Sequence, residues 1–121
     1  MSSSKRWIII SGVIGFLGVA LGAFGAHSLK TMIDPDKLEV YKTGIQYQLI
    51  HSVVMLSIAL SEKELYLKAE KFFFAGIVLF SFSLYVYSVT SIPAIAMVTP
   101  FGGVSFLIGW AVLIYSAVRK T

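Results

Sequence analysis

The side chains most able to do chemistry lie in the first half of one uncharged stretch. Residues 43–61 contain no Lys, Arg, Asp or Glu, yet they include Tyr47, Gln48 and His51 close to their start. At helical spacing these three positions fall on one arc of a helix. A neutral histidine ring can both donate and accept a hydrogen bond. The pattern therefore allows either hydrogen bonds between helices or a small polar pocket.

Two later apolar stretches carry polar residues that would lie at a similar depth. Ser81 and Tyr85 share a face at a spacing of four, and Ser105 lies in the last stretch. Together they predict a polar belt in the outer half of a bundle, with His51 near the bilayer midplane. Interhelical hydrogen bonding is the favoured interpretation. The alternative is a site for a small polar or amphiphilic molecule, lined by Tyr47, Gln48, His51, Ser81, Tyr85 and Ser105.

The residues that catalysis or metal binding would need are not found in a suitable arrangement. The apolar stretches contain no Asp or Glu, the chain has no Cys, and neither phosphate-binding glycine motif occurs. His27 lies at the outer end of the first stretch, too far from His51 for both rings to bind one metal ion. We therefore predict no enzyme, no catalytic residue, no cofactor and no metal site. His27 is expected to tie the end of the first helix to the following loop or to the second helix.

Long apolar stretches must position these side chains. Hydrophobic residues make up 57% of the 121 residues and charged residues only 13%, against roughly 25% charged in a soluble domain. Each stretch is about 20 residues long, enough to cross the ~30 Å hydrocarbon core. A cleaved signal peptide is disfavoured because the first stretch is too long and others follow. We predict an all-α, four-helix transmembrane bundle, one domain over residues 1–121, with spans at about 7–27, 43–61, 72–90 and 100–118.

Glycines recur every three or four residues along the first span. Gly12 begins this series. Small residues let membrane helices approach closely, so we predict that the series packs against other helices of this chain, or else against a second copy. The predicted packing positions are Gly15, Gly18, Gly22 and Gly25.

The basic residues predict the orientation of the bundle. Seven of the ten Lys and Arg residues lie before the first span, between the second and third, or after the fourth. The excess of basic residues marks the cytoplasmic side, so we predict that both termini are cytoplasmic. Residues 61–71 are interpreted as a charged loop or helix start. A nucleic-acid partner is not expected, because the chain has no water-exposed basic face interleaved with aromatic residues.

Four segments in order resemble a known family. They are Ala20-Leu-Gly-Ala-Phe-Gly-Ala-His27, Thr43-Gly-x-x-Tyr-Gln-x-x-His51, Leu79-Phe-Ser-x-Ser-Leu-Tyr85 and Thr99-Pro-x-Gly-Gly-Val-Ser-Phe-Leu-x-Gly-Trp110. Over nearly its whole length the chain resembles the domain-of-unknown-function 423 family of small bacterial inner-membrane proteins, which is related to eukaryotic transmembrane protein 256. The resemblance implies a four-helix multi-pass protein of the bacterial cytoplasmic (inner) membrane, and it implies no activity.

Together these observations predict a small inner-membrane protein of unestablished function. Our interpretation is a non-enzymatic membrane scaffold or assembly subunit with an intramembrane polar belt. The alternative is a small-molecule or lipid-binding protein, or a small transporter, that uses a pocket around His51. The expected partners are the lipid bilayer and either a second copy or other membrane proteins.

Overall fold

The computed structural model describes residues 1–120. Within these residues the secondary structure is helical, without strands, which confirms the predicted all-α class. A 3₁₀ turn, Leu29–Thr31, follows the first helix, and a π-helical segment, Ile77–Phe82, interrupts the third span. The α-helices are α1 Ser3–His27, α2 Pro35–Ser61, α3 Glu64–Leu67, α4 Glu70–Gly76, α5 Ser83–Thr90, α6 Pro93–Ala96 and α7 Thr99–Lys120.

Four helical segments are long and apolar enough to cross a membrane, as predicted. They contain between 27 and 29 residues, about 40 Å of helix. This length exceeds the ~30 Å hydrocarbon core, so their ends reach the headgroup regions. The segments are Ser3–Thr31, Pro35–Ser61, Glu64–Thr90 and Pro93–Arg119.

The second helix begins well before the uncharged stretch that predicted it. Asp34 is the N-cap residue with an extended backbone, and Pro35 occupies the first helical position, where its fixed φ angle and missing N–H are tolerated. The added turns carry the charged residues of the loop. Lys37 in them donates a 3.1 Å hydrogen bond to the hydroxyl of Tyr87.

Helix α2 lies at the centre of the bundle. It packs against α1 on one side and against the π segment and α5 on the other, while α7 packs on α4 and the π segment. The largest fully buried apolar side chains are Phe73, Met55 and Ile77. They form the main core with Ile14 and Phe106, so this core joins all four spans.

Four glycines of α1 lie along its contact with α2. A Cβ at Gly18 would lie 2.7 Å from the Leu49 side chain, and one at Gly22 would lie 3.3 Å from Ile45. Gly15 faces Ser52 and Gly25 faces Tyr41 in the same row.

Gly12 departs from the predicted series and is exposed, with no atom within 4 Å of a built Cβ. The reason is geometric. Two successive spacings of three residues rotate the position by about 60° each, which carries Gly12 off the contact face.

The third and fourth spans approach closely at glycines as well. A Cβ at Gly102 would collide with the backbone of Leu79 and Phe80, within the π segment. One at Gly109 would lie 2.8 Å from the Phe73 ring. The α7 N-terminus is fixed by a 2.6 Å hydrogen bond between the hydroxyls of Thr99 and Ser83.

Of the two interpretations of residues 61–71, the helix start is confirmed and the charged loop is wrong. Glu62 ends α2 in the left-handed conformation, with φ 58°. The chain then forms α3 and turns directly into α4, which buries Leu67, Ala69 and Glu70. Apolar residues between the charged ones are buried in the bundle, and Glu70 is buried with them. A carboxyl group therefore lies inside the third span, where none was predicted.

Candidate functional site: an intramembrane polar belt

The ring of His51 is enclosed, with 4% of its surface exposed. Its Nδ1 lies 2.8 Å from the carbonyl oxygen of Tyr47, and its Nε2 lies 3.2 Å from the indole Nε1 of Trp110. A carbonyl only accepts and an indole N–H only donates, so Nδ1 donates and Nε2 accepts. The two bonds therefore specify the neutral tautomer with its proton on Nδ1, and the bond to Trp110 links α2 to α7.

Aromatic rings surround this histidine. Phe106 stacks on it with centroids 4.0 Å apart and planes at 13°. Phe73 lies at 5.6 Å, and Trp110 approaches edge-on at 5.9 Å. The imidazole is therefore a packed part of the core as well as a hydrogen-bonding group.

The side chain of Gln48 bridges three helices. It is fully buried. Its Nε2 donates to the carbonyl oxygen of Ile14 in α1 at 2.9 Å, and its Oε1 accepts from the hydroxyl of Tyr85 in α5 at 2.6 Å. Because a main-chain carbonyl must receive a donor, these partners fix the orientation of the amide.

A second tyrosine continues this layer toward the end of the bundle opposite the termini. Tyr41 donates to the carbonyl oxygen of Leu21 in α1, and its ring lies 4.9 Å from that of Tyr85. Gly44 makes room for Tyr85, because a Cβ there would lie 2.6 Å from the tyrosine ring. The belt therefore has one layer around Gln48 and Tyr85 and another around His51 and Trp110.

Comparison with known proteins identifies the group to which this arrangement belongs. The family described as "Protein of unknown function (DUF423)" matches residues 21–103. The chain belongs to the DUF423 family. This confirms the resemblance carried by the four sequence segments, and it assigns no activity to the belt.

Relatives in other bacteria match this DUF423 chain over nearly its whole length. It is 41% identical to the UPF0382 membrane protein YwdK of Bacillus subtilis, covering 95% of this chain and 98% of the relative. It is 37% identical to the UPF0382 inner membrane protein YgdD of Escherichia coli K12, covering 97% and 92%. No solved structure matches the chain. The names of these relatives and the four apolar helices confirm a multi-pass protein of the bacterial inner membrane.

The six predicted site residues of this DUF423 protein do not form one constellation. Gln48 meets Tyr85, and the ring of Tyr47 stacks with that of His51 at 6.0 Å. Ser105 instead donates to the carbonyl oxygen of Phe72 at 2.7 Å. Ser81 is fully buried, and its hydroxyl has no hydrogen-bond partner among the described residues. Ligand binding by this set stays a prediction.

Trp110 is the belt residue that the reasoning from helix depth missed. It lies in the middle of the fourth span, away from the interfaces where membrane tryptophans are enriched. An indole N–H at such depth needs a hydrogen-bond acceptor. This requirement could have indicated from the sequence that Trp110 pairs with His51.

We predicted that His27 ties α1 to the following loop or to the second helix. Among the described residues it instead bonds within α1. Its Nδ1 donates to the carbonyl oxygen of Ala23, 2.9 Å away in the same helix, and the residue is exposed. The carbonyl of Ala23 lies four residues before His27, so the imidazole bonds back along its own helix. The bond places no histidine near His51.

Glu70 is the second polar residue that the sequence reasoning missed. It is fully buried in the first turn of α4, and neither carboxylate oxygen has a hydrogen-bond partner among the described residues. Its sequence neighbours Lys68 and Lys71 are exposed. Acidic and basic residues alternate around Glu70, so the sequence does not show which of them faces the interior of the bundle.

Grooves of the bundle surface lie mainly away from the belt. One of about 370 Å³ lies between α3 and the C-terminal half of α7, and one of about 290 Å³ lies between α2 and α7. A third, of about 350 Å³, is lined by apolar residues of α1 and α5 and reaches Tyr85. Of the six predicted site residues, Tyr85 is the one that lines any of these three grooves.

Proposed function

We propose that this DUF423 protein is a non-enzymatic membrane scaffold or assembly subunit whose polar belt holds its helices in register. One observation carries the proposal. The ring nitrogens of His51 and the amide of Gln48 each have a hydrogen-bond partner in the protein. Because these atoms already bond to main-chain and side-chain groups of the bundle, the arrangement favours a structural role for both side chains. The enclosure of His51 likewise favours a structural role over a pocket around that ring.

The outer face of α1 supports a role in assembly. Val13, Phe16 and Val19 are exposed apolar side chains on this face, and Gly12 beside them has open space around it. A second copy or another membrane protein could approach there at close range. Assembly through this face would use the helix already fixed to α2 by its opposite side.

The charge distribution supports an orientation with both termini in the cytoplasm. Seven Lys and Arg residues lie at the end of the bundle that carries the termini, against three at the other end, Lys30, Lys37 and Lys42. Basic loops are retained on the cytoplasmic side of bacterial membranes.

Site-specific photocrosslinking in native membranes tests the scaffold proposal. A photoreactive residue at Phe16, which is 75% exposed, should give one reproducible protein adduct, either a second copy or a fixed partner. The control is the same residue at Ile14, which is 4% exposed and should give adducts within the chain only.

A transport assay tests the alternative that the protein is a transporter. Purified protein in liposomes should give no solute flux above that of empty liposomes. A flux that His51→Ala abolishes, without a Phe16 adduct, would contradict the scaffold proposal and support the transporter interpretation.

A further inference from the structure

One surface groove of the bundle has two cations at one end. It holds about 370 Å³ between α3 and α7, and Lys68 and Arg119 are among its lining residues. The rest of its wall is mostly apolar and includes Ile108, Ala111 and Val112. The groove therefore has a mostly apolar wall and a positively charged end.

The length of the groove matches one leaflet of a bilayer. Along α7 it extends from Ile108 to Arg119, which is about 16 Å of helix. Half of the hydrocarbon core is about 15 Å. The apolar wall can therefore receive an acyl chain, while both cations lie at the headgroup level.

The two cations are available to a ligand. Both are exposed, and the one ion pair among the described residues joins Lys42 to Glu39 at the other end of the molecule. Tyr115, one turn before Arg119, also lines the groove, and tyrosine favours the interface between chains and headgroups.

The groove on the other side of α7 provides an internal comparison. It holds about 290 Å³ and is lined by Leu113, Ala117 and residues of α2 and α3, with no charged side chain. The two grooves are similar in size and lie at the same end of the bundle. Lys68 and Arg119 give the groove between α3 and α7 a charge that the other groove lacks, so the first groove can select an anionic lipid.

We propose that the groove between α3 and α7 is a binding site for an anionic phospholipid. One acyl chain lies along Ile108, Ala111 and Val112, and the phosphate-bearing headgroup contacts Lys68 and Arg119. Basic sites beside membrane helices bind such headgroups through charge and hydrogen bonds. This inference does not depend on the scaffold proposal, since the groove is on α7 and the proposed assembly face is on α1.

Native mass spectrometry of the purified protein with equal amounts of phosphatidylglycerol and phosphatidylcholine tests this site. Wild type should retain phosphatidylglycerol preferentially. Neutralising the cations in Lys68→Gln and Arg119→Gln should lower that preference by about fivefold for each cation removed. Ala111→Trp, which fills the groove, should abolish retention. If Ala111→Trp does not fold, Ile108→Trp on the same wall replaces it.

Two matched controls separate this site from general effects. Lys5→Gln with Arg6→Gln removes the same charge at the same end of the bundle, and Ala117→Trp fills the uncharged groove. Both should keep the wild-type preference. An equal loss in the Lys5 and Arg6 variant, or unchanged retention in the groove-filling variant, would overturn the proposal. So would a groove-filling variant that turns a lipid-free dimer into a monomer, because the occupant would then be a second copy.

Discussion

At the scale of single residues, the buried side chains of Gln48 and His51 in α2 bond to other groups of the bundle. In hydrocarbon no water is available to bond an unpaired donor or acceptor, so each such atom is costly. Gln48 and His51 avoid this cost through bonds to Ile14, Tyr47, Tyr85 and Trp110. Their side chains therefore specify which helices lie next to α2 and in what register.

Two residues are exceptions at this scale, because the buried carboxyl of Glu70 and the buried hydroxyl of Ser81 have no partner among the described residues. Glu70→Gln keeps the shape and removes the capacity to carry a charge. We expect the free energy of unfolding to stay the same or to rise by up to about 1 kcal/mol, because the charged form is removed while the amide keeps polar atoms without partners. Reversible unfolding in detergent measures the change.

The matched control for this substitution is Glu64→Gln. Glu64 is exposed, so its replacement should change stability by less than about 0.5 kcal/mol. A loss of more than about 1 kcal/mol in Glu70→Gln alone would show that the carboxylate is stabilised by a partner.

The residues that sequence reasoning recovered and missed differ in one physical respect. Gln48, His51 and Tyr85 could be placed because they interrupt uncharged helical stretches at regular spacing. Glu70 could not, since it lies among alternating charges whose inward member depends on how α3 turns into α4. The bond of Ser105 to the carbonyl oxygen of Phe72 could not be predicted, because the offset between the third and fourth spans, set by Gly102 and the π segment, has no local sequence signal.

At the scale of helices, the small residues of α1 determine how closely it packs on α2. Gly18 is buried against Leu49, whereas Gly12 in the same helix has open space around it. The two glycines share intrinsic helix propensity and differ in what they face. They are therefore a matched pair for testing the contact.

Gly18→Leu should lower the free energy of unfolding by about 1–3 kcal/mol, because the larger side chain overpacks the contact with α2. Gly12→Leu should leave stability unchanged or raise it slightly, since leucine is the better helix former. Thermal unfolding in detergent compares the two variants. Equal losses in both would show that the effect arises from the helix itself and not from its packing.

At the scale of the whole molecule, four spans bring both termini to one end of the bundle. The loops at the two ends differ in basic residues, and this difference predicts the orientation. Lys37 lies near the start of α2, and Lys63 follows the end of that helix. The two positions therefore lie at opposite ends of the bundle.

Cysteine labelling in intact cells tests the orientation without interference, since the natural chain has no cysteine. Lys37→Cys should react with an impermeant thiol reagent added outside, and Lys63→Cys should react only after the membrane is permeabilised. The reverse pattern would place both termini outside.

The central claim is that the intramembrane histidine is a structural bond between helices. The most direct measurement is nitrogen-15 magnetic resonance of the His51 ring in the purified protein. We predict one neutral tautomer with its proton on Nδ1, and a change in the Nε2 signal alone when Trp110→Phe removes the indole donor, because the structure pairs these two atoms. A ring that exchanges between tautomers, or an Nε2 signal that Trp110→Phe leaves unchanged, would contradict the account.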